Sequence, residues 1–143
     1  MRGPGVPAGK RSDALVYLFD IFPTACELCG VKPPEGVEGT SLVPVMAGRR
    51  EKVRDVIFGA YRQFQRSVRT DRWKLIRYPH INHTQLFDLK ADPDEVNDLA
   101  ANPAFADRVQ EMTKLLEEQQ KAYGDMLPLS TDKPARFQIE PKK

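Results

Sequence analysis

The segment Ala14-Leu15-Val16-Tyr17-Leu18-Phe19 is an unbroken apolar run with no polar residue to mark an outer face. A half-buried strand alternates apolar and polar residues, whereas a continuous run suits a strand covered on both faces, as in a parallel sheet. The shortness of the run and the break at Asp20 predict a buried strand rather than a helix. A short helix is expected next. Asp20 is placed to cap it, and Pro23 fits its first turn. Phe22, Cys26 and Cys29 then recur at i, i+4 and i+7, and Gly30 stands where a helix-ending glycine belongs. Such a strand needs sheet neighbours that the rest of the chain does not offer. The sequence therefore predicts an unpaired apolar edge and marginal solubility.

The pattern changes along the chain. Residues 1–13 are loop-like and rich in Gly and Pro; they read like the middle of a loop, so the chain is expected to be a piece of something longer. Residues 31–40 form a Pro/Gly loop. Ser41 is placed to cap a short helix over Leu42–Ala47, closed by Gly48. Arg49–Arg54 reads as a charged, solvent-facing junction. Val56–Phe58 is a short strand, and Gln65–Arg69 and Trp73–Tyr78 alternate around a turn at Thr70-Asp71-Arg72, giving an antiparallel hairpin with one wet face. Gln85–Leu89 is a further strand, and Asp92-Pro93-Asp94 a turn. Asn102-Pro103 opens a helix whose Phe105, Val109, Met112 and Leu116 follow at helical spacing until Tyr123-Gly124. Residues 125–143 form a tail, either strapped along the surface or disordered.

Composition excludes several classes. The 143 residues are 41% hydrophobic and 29% charged, as in ordinary globular domains. A net charge of +2 argues against an electrostatic nucleic-acid binder. No apolar run approaches the roughly 20 residues of a membrane span, and the N-terminus lacks the apolar core of a signal peptide. Two cysteines cannot build a disulfide framework.

Each remaining constellation has more than one reading. Cys26-Glu27-Leu28-Cys29 has the spacing of a redox pair or of half a zinc site. The zinc reading lacks matched ligands, since the only histidines, His80 and His83, follow another spacing. The redox reading wants the first cysteine at a helix N-terminus, and here both fall in the middle and last turn. Buried core cysteines are the plainer expectation. His80-Ile81-Asn82-His83 suits a polar loop, either lining a pocket or simply solvated. Asn82-His83-Thr84 is also a glycosylation sequon, relevant to a protein secreted by a eukaryote. Arg62, Arg66, Arg69, Arg72, Lys74 and Arg77 make a basic hairpin with Tyr61 and Trp73 interleaved. It reads as a sheet face whose charges pair across strands, or as a surface for an anionic ligand. There is no Gly-x-Ser-x-Gly, phosphate loop, dinucleotide fingerprint or carboxylate-histidine cluster, so the residues alone show no self-sufficient active site.

Taken in order, the motifs resemble the C-terminal portion of a sulfatase, the formylglycine-dependent family with an alkaline-phosphatase-like fold. Pro4-Gly5-Val6-Pro7-Ala8-Gly9 is similar to the family's P-G-(I/V)-P-x-G, and Asp20-Ile21-Phe22-Pro23-Thr24 to its D-x-x-P-T. Gly36-Val37-Glu38-Gly39-Thr40-Ser41-Leu42-Val43-Pro44 resembles G-x-x-G-x-S-L-x-P. The hairpin from Arg66 to Ile76 resembles the R-x-V-R-T-x-(R)-(W/Y)-K-(L/Y)-I of the small C-terminal domain. Leu86-Phe87-Asp88-Leu89, Asp92-Pro93-Asp94-Glu95 and Asn97-Asp98-Leu99-Ala100 complete the series. The likeness covers roughly residues 3–122.

The resemblance implies an α+β fold: a small antiparallel sheet with a C-terminal amphipathic helix, preceded by the last strand and helix of an alkaline-phosphatase-like α/β domain. It implies residues 1–50 as the trailing piece of the large domain, 51–124 as the C-terminal subdomain and 125–143 as a tail. Family chemistry hydrolyses sulfate esters or sulfamates with a formylglycine from a C/S-x-P-S-R motif and a bound calcium. That motif is absent here, and the family's catalytic and metal residues precede the P-G-x-P-x-G segment. The expectation is therefore no catalytic residue, metal ligand or cofactor in this chain, with calcium and formylglycine confined to the complete enzyme. The implied partners are the rest of the catalytic domain and a sulfated substrate, with no nucleic acid and no membrane span. Tyr61, Arg62, His80 and His83 are candidate pocket-rim residues. The family's setting is periplasmic, extracellular or lysosomal. Two other functions stay open on the residues: a stand-alone module binding an anionic ligand, such as a sulfated glycan, through the basic hairpin, and a small redox or zinc protein built on the cysteines.

Overall fold

A computed structural model describes residues 6–135. Pro4 and Gly5 of the opening motif and residues 136–143 of the tail lie outside the described residues. The chain forms two compact units that divide between Ile57 and Phe58.

In the first unit, helix α1 (Ile21–Leu28) is entered through a 3-10 turn at Leu18–Asp20, and a short helix α2 spans Val43–Met46. The strand expected at Ala14–Phe19 does not form. Tyr17 is extended (φ −95°, ψ 154°), but the chain turns at Leu18, and no strand among the described residues pairs with the run. A strand needs a ladder partner for its backbone groups, and none is supplied here. Leu15 is buried, but most of the large apolar side chains here face outward: Leu18 is 83% and Phe22 52% exposed, with Val16, Phe19, Ile21 and Val31 also open.

The cysteines are likewise not core residues in this chain. Cys29 is exposed and Cys26 half-buried, both as free thiols, because nothing in this unit covers their side of α1. Gly30 ends the helix as expected. At φ +69° it lets its own N–H reach the Glu27 carbonyl and that of Val31 reach the Cys26 carbonyl, the paired bonds of a Schellman close.

The segments Asp20–Thr24 and Gly36–Pro44 of this unit interlock through hydrogen bonds. Asp20 sits at the head of α1 without capping it; its carboxylate turns back to accept from the Tyr17 N–H at 2.7 Å. The other carboxylate oxygen accepts from the Thr40 N–H at 2.9 Å. One helical turn on, the Thr24 hydroxyl donates to the Asp20 carbonyl at 2.6 Å and accepts from the Leu42 N–H at 2.9 Å. Between these two ties the loop passes so close to α1 that a Cβ at Gly39 would lie 2.6 Å from the Phe19 carbonyl oxygen. Asp20, Thr24 and Gly39 are therefore present for architecture.

Arg54 corrects the reading of Arg49–Arg54 as uniformly solvent-facing. Its guanidinium turns inward and grips the Asp20 carboxylate with both terminal nitrogens, one of them at 2.7 Å. It also donates to the Leu15 carbonyl at 3.1 Å and lies 4.7 Å from the Tyr17 ring centre. A fully buried carboxylate has to find a cation, and Arg54 is the one the first unit provides.

The second unit is built on an antiparallel sheet of β1 (Ile57–Tyr61), β2 (Gln65–Arg69), β3 (Trp73–Tyr78) and β4 (His83–Asp88), in that spatial order. Val68, Leu75 and Leu86 are register partners and form one buried row across three strands. Helix α3 (Ala106–Ala122) packs on β2 and β3 and adds Met112 and Leu116 to that core. Asn102 begins the helical segment as expected, accepting the Ala104 N–H, with a 3-10 turn at Pro103–Phe105 before α3 proper. Trp73 lies beside Phe105, with the guanidinium carbons of Arg72 and Arg108 each 5.0 Å from its ring centre. This is the α+β architecture the sequence implies.

Candidate functional site

Antiparallel strands bring alternate connections to the same end of a sheet. The β1–β2 turn at residues 62–64 and the β3–β4 connection at residues 79–82 share one end, while the Thr70-Asp71-Arg72 turn lies at the other. Tyr61, Arg62, His80 and His83 all belong to that first end.

The β1–β2 turn is closed by the Phe64 N–H donating to the Tyr61 carbonyl at 3.1 Å. Arg62 follows Tyr61 with φ +46°, a left-handed conformation that hairpin turns usually give to glycine. Its guanidinium carbon is 5.9 Å from the Tyr61 ring centre. Tyr61 and Phe64 have ring centres 6.4 Å apart, and Phe64 meets the His80 ring edge-on at 5.3 Å. His80 is half-buried, and its Nδ1 is enclosed without a hydrogen-bond partner among the described residues. His83 stands apart from this row. It opens β4 as the register partner of Tyr78 and stacks on it at 6.0 Å. Burial, and then the charge of Asp98, push the Tyr78 phenol up from its ordinary range.

Residues after α3 complete this end. Asp125 receives two hydrogen bonds from the Arg66 guanidinium, and the Leu129 carbonyl accepts from Arg77 at 2.6 Å. Asn82 and Thr131 exchange a pair of bonds, side-chain amide to backbone, at 2.7 and 3.0 Å. The Ala135 N–H donates to the His80 carbonyl at 2.8 Å. The tail is thus strapped along the surface through residue 135. Strap and turns together enclose a groove of about 330 Å³, lined by Gln63, His80, Pro128, Ser130, Thr131 and Lys133 among others.

The basic hairpin is largely spoken for. Arg66 binds Asp125, Arg72 binds Asp88 through two nitrogens, Lys74 binds Glu95, and Arg77 uses Leu129 and Thr84. Of these, only Arg72 meets a carboxylate carried by a strand; Asp125 and Glu95 lie outside the sheet and the partners of Arg77 are uncharged, so these side chains are tied mainly to the segments around the sheet rather than paired across its strands.

The described residues do not fit a calcium or zinc site, since no group of three or more His, Cys, Asp or Glu side chains gathers among them. No helix among the described residues is long and apolar enough to cross a membrane. Sequence patterning missed Phe64 and the strap residues of the groove. Phe64 carried one usable signal, an aromatic residue at a turn tip. The strap carried none, because most of its bonds use backbone groups.

Comparison with known proteins places these features. The family described as N-sulphoglucosamine sulphohydrolase, C-terminal, matches residues 1–122. An N-acetylglucosamine-6-O-sulfatase of Bacteroides thetaiotaomicron is 32% identical over 86% of this chain and 24% of its own length. Human arylsulfatase K is 32% identical over 70% of this chain and 21% of its own. A solved structure of a protein in complex with its substrate D-glucosamine-2-N,6-O-disulfate superposes with a TM-score of 0.74 at 31% identity, covering 87% of this chain and 28% of that one. The chain therefore spans about a quarter of the length of such relatives. The motif order, the four-stranded sheet with its packed helix and these matches agree, and the chain belongs to the N-sulphoglucosamine sulphohydrolase C-terminal family, as the C-terminal part of a sulfatase.

Proposed function

We propose that this chain serves sulfuric-ester hydrolysis as the C-terminal part of a complete sulfatase acting on sulfate esters or sulfamates of a glycan, and that it is inactive alone. The observation that carries the reading is the family match across residues 1–122 by a chain spanning a quarter of its relatives' length. Formylglycine and calcium chemistry then belongs to the catalytic body, where an aldehyde hydrate supplies the nucleophile and the cation stabilises charge on the transferring group.

The exposed apolar face around Leu18, Ile21 and Phe22 supports a docking role toward that body, because an outward patch of large apolar side chains marks an interaction surface. At the turn end of the sheet in the second unit, Tyr61, Arg62, His80 and His83 serve as the rim of the substrate pocket. The aromatic row from Tyr61 to His80 and the adjoining groove support that assignment.

The test has two arms. The purified chain should release no sulfate from a chromogenic aryl sulfate; release would overturn the proposal. In a sulfatase that contains this sequence, His80→Ala and His83→Ala should raise KM and leave kcat in place. Unchanged kinetics in both variants would refute the rim.

A further inference from the structure

Tyr61, Phe64 and His80 form a row of rings at the turn end of the sheet, with centres 6.4 and 5.3 Å apart. Tyr61 is 60% and Phe64 38% exposed, and the turn that carries them is closed by the bond from the Phe64 N–H to the Tyr61 carbonyl. The row runs into the groove of about 330 Å³ through the half-buried His80. That volume is at the lower end of the range of small-molecule sites.

The lining chemistry is mixed in a particular way. Flat apolar surfaces, from Phe64 beside the groove and from Pro128 within it, adjoin the side-chain amide of Gln63 and the hydroxyls of Ser130 and Thr131. A pyranose has the matching form, with a face of C–H groups and a rim of hydroxyls. Sulfate would call for guanidinium groups on the groove wall, yet no arginine among the described residues lines it: Arg66 and Arg77 are held by Asp125 and Leu129, and Arg62 lies against the Tyr61 ring. Lys133 is the lone ammonium on the groove wall.

We infer that the aromatic row and its groove bind an uncharged sugar ring: the residue of the glycan next to the sulfated one, and not the sulfate itself. The inference rests on reading this end as a substrate rim and names what the rim touches. The ring's C–H face lies over Phe64 and Tyr61, and its hydroxyls turn toward Gln63, Ser130 and Thr131.

The experiment is saturation-transfer NMR on the chain with methyl β-glucoside and methyl N-acetyl-β-glucosaminide as probes. Saturation concentrated on one ring face of either probe is expected. Phe64→Ala should weaken binding about fivefold or more, the scale of losing one aromatic contact. Tyr61→Phe, which keeps the ring, should bind as the parent does. Excess inorganic sulfate should not compete. Transfer from neither probe, transfer indifferent to Phe64→Ala in a folded variant, or displacement by sulfate would each overturn the inference. The rim reading fails separately: sugar binding that persists while His80→Ala and His83→Ala leave enzyme kinetics untouched refutes the rim and leaves the saccharide site standing.

Discussion

Arg66 and Arg77 stand directly opposite one another across β2 and β3. Like charges in that position oppose sheet pairing, and the Arg66 side chain is only 3% exposed, so water does little to screen it. The strap resolves the conflict by bringing Asp125 to Arg66 and the Leu129 carbonyl to Arg77. Removing Asp125 leaves a buried cation unpaired beside another. Asp125→Ala should therefore destabilise the second unit by about 3 kcal/mol, seen as a lower urea midpoint. The same variant should speed amide exchange at Thr131 and Ala135, whose bonds hold the strap. An unchanged midpoint with both amides still protected would contradict this.

The first unit depends in the same way on Arg54. Arg54→Ala should cost about 2–4 kcal/mol, because the Asp20 carboxylate keeps its Tyr17 and Thr40 N–H bonds but loses its cation. Arg54→Lys should recover only part of the loss, since an ammonium cannot span both carboxylate oxygens. Thermal melting followed by circular dichroism reads both. Equal stability of the lysine variant and the parent would show that the two-pronged geometry is immaterial.

Acid should unfold the chain through its paired carboxylates. Burial pushes Asp20 up, but the Arg54 hydrogen bonds and the Thr40 and Tyr17 N–H groups outweigh it and hold the carboxyl below its ordinary range. Arg72 holds Asp88 low, and Arg66 holds Asp125 low, each against some opposing burial. A depressed folded value means that the unfolded chain binds more protons in that range, so stability rises with pH there. The contribution is full above the unfolded value of about 4 and drains as pH falls through the lower folded values. Melting temperature measured from pH 7 to pH 2 should hold steady down to about pH 5 and then fall. A flat profile across the acid range would refute the assignment.

These elements differ in how far the sequence discloses them. Strands β2 and β3 could be placed from alternation and a three-residue turn, and α3 from its cap and apolar stripe, because those signals are local. The Asp20–Arg54 pair was not readable: the partners are far apart in the chain, and Arg54 sits in a run of charges that looks solvated throughout. The apolar run at Ala14–Phe19 misled for a related reason. Its composition records what would surround a strand, and strand formation needs a partner backbone that the described residues do not bring. At the turn end, resemblance offers Tyr61, Arg62 and His80 as candidates, whereas the strap that walls the groove beside His80 was invisible because it is held mainly by main-chain groups.

Arg62 carries a measurable strain. A non-glycine residue at φ +46° costs on the order of 1–2 kcal/mol relative to relaxed backbone, part of which glycine gives back through its looser unfolded state. Arg62→Gly should stabilise the second unit by about 0.5–1 kcal/mol, read from the urea midpoint. The Arg66 bond to the residue-62 carbonyl survives the change, since it uses backbone. A destabilised variant would mean that the Arg62 side chain, through its contact with Tyr61, outweighs the strain.

The chain has a single tryptophan, and it lies in the second unit between Arg72 and Arg108. Its emission therefore reports the docking of α3 and the order of the sheet, and it is silent about everything before Ile57. A melt followed by fluorescence will show one transition even where circular dichroism records two. The gap between the two curves is a direct readout of how independently the halves of the polypeptide come apart.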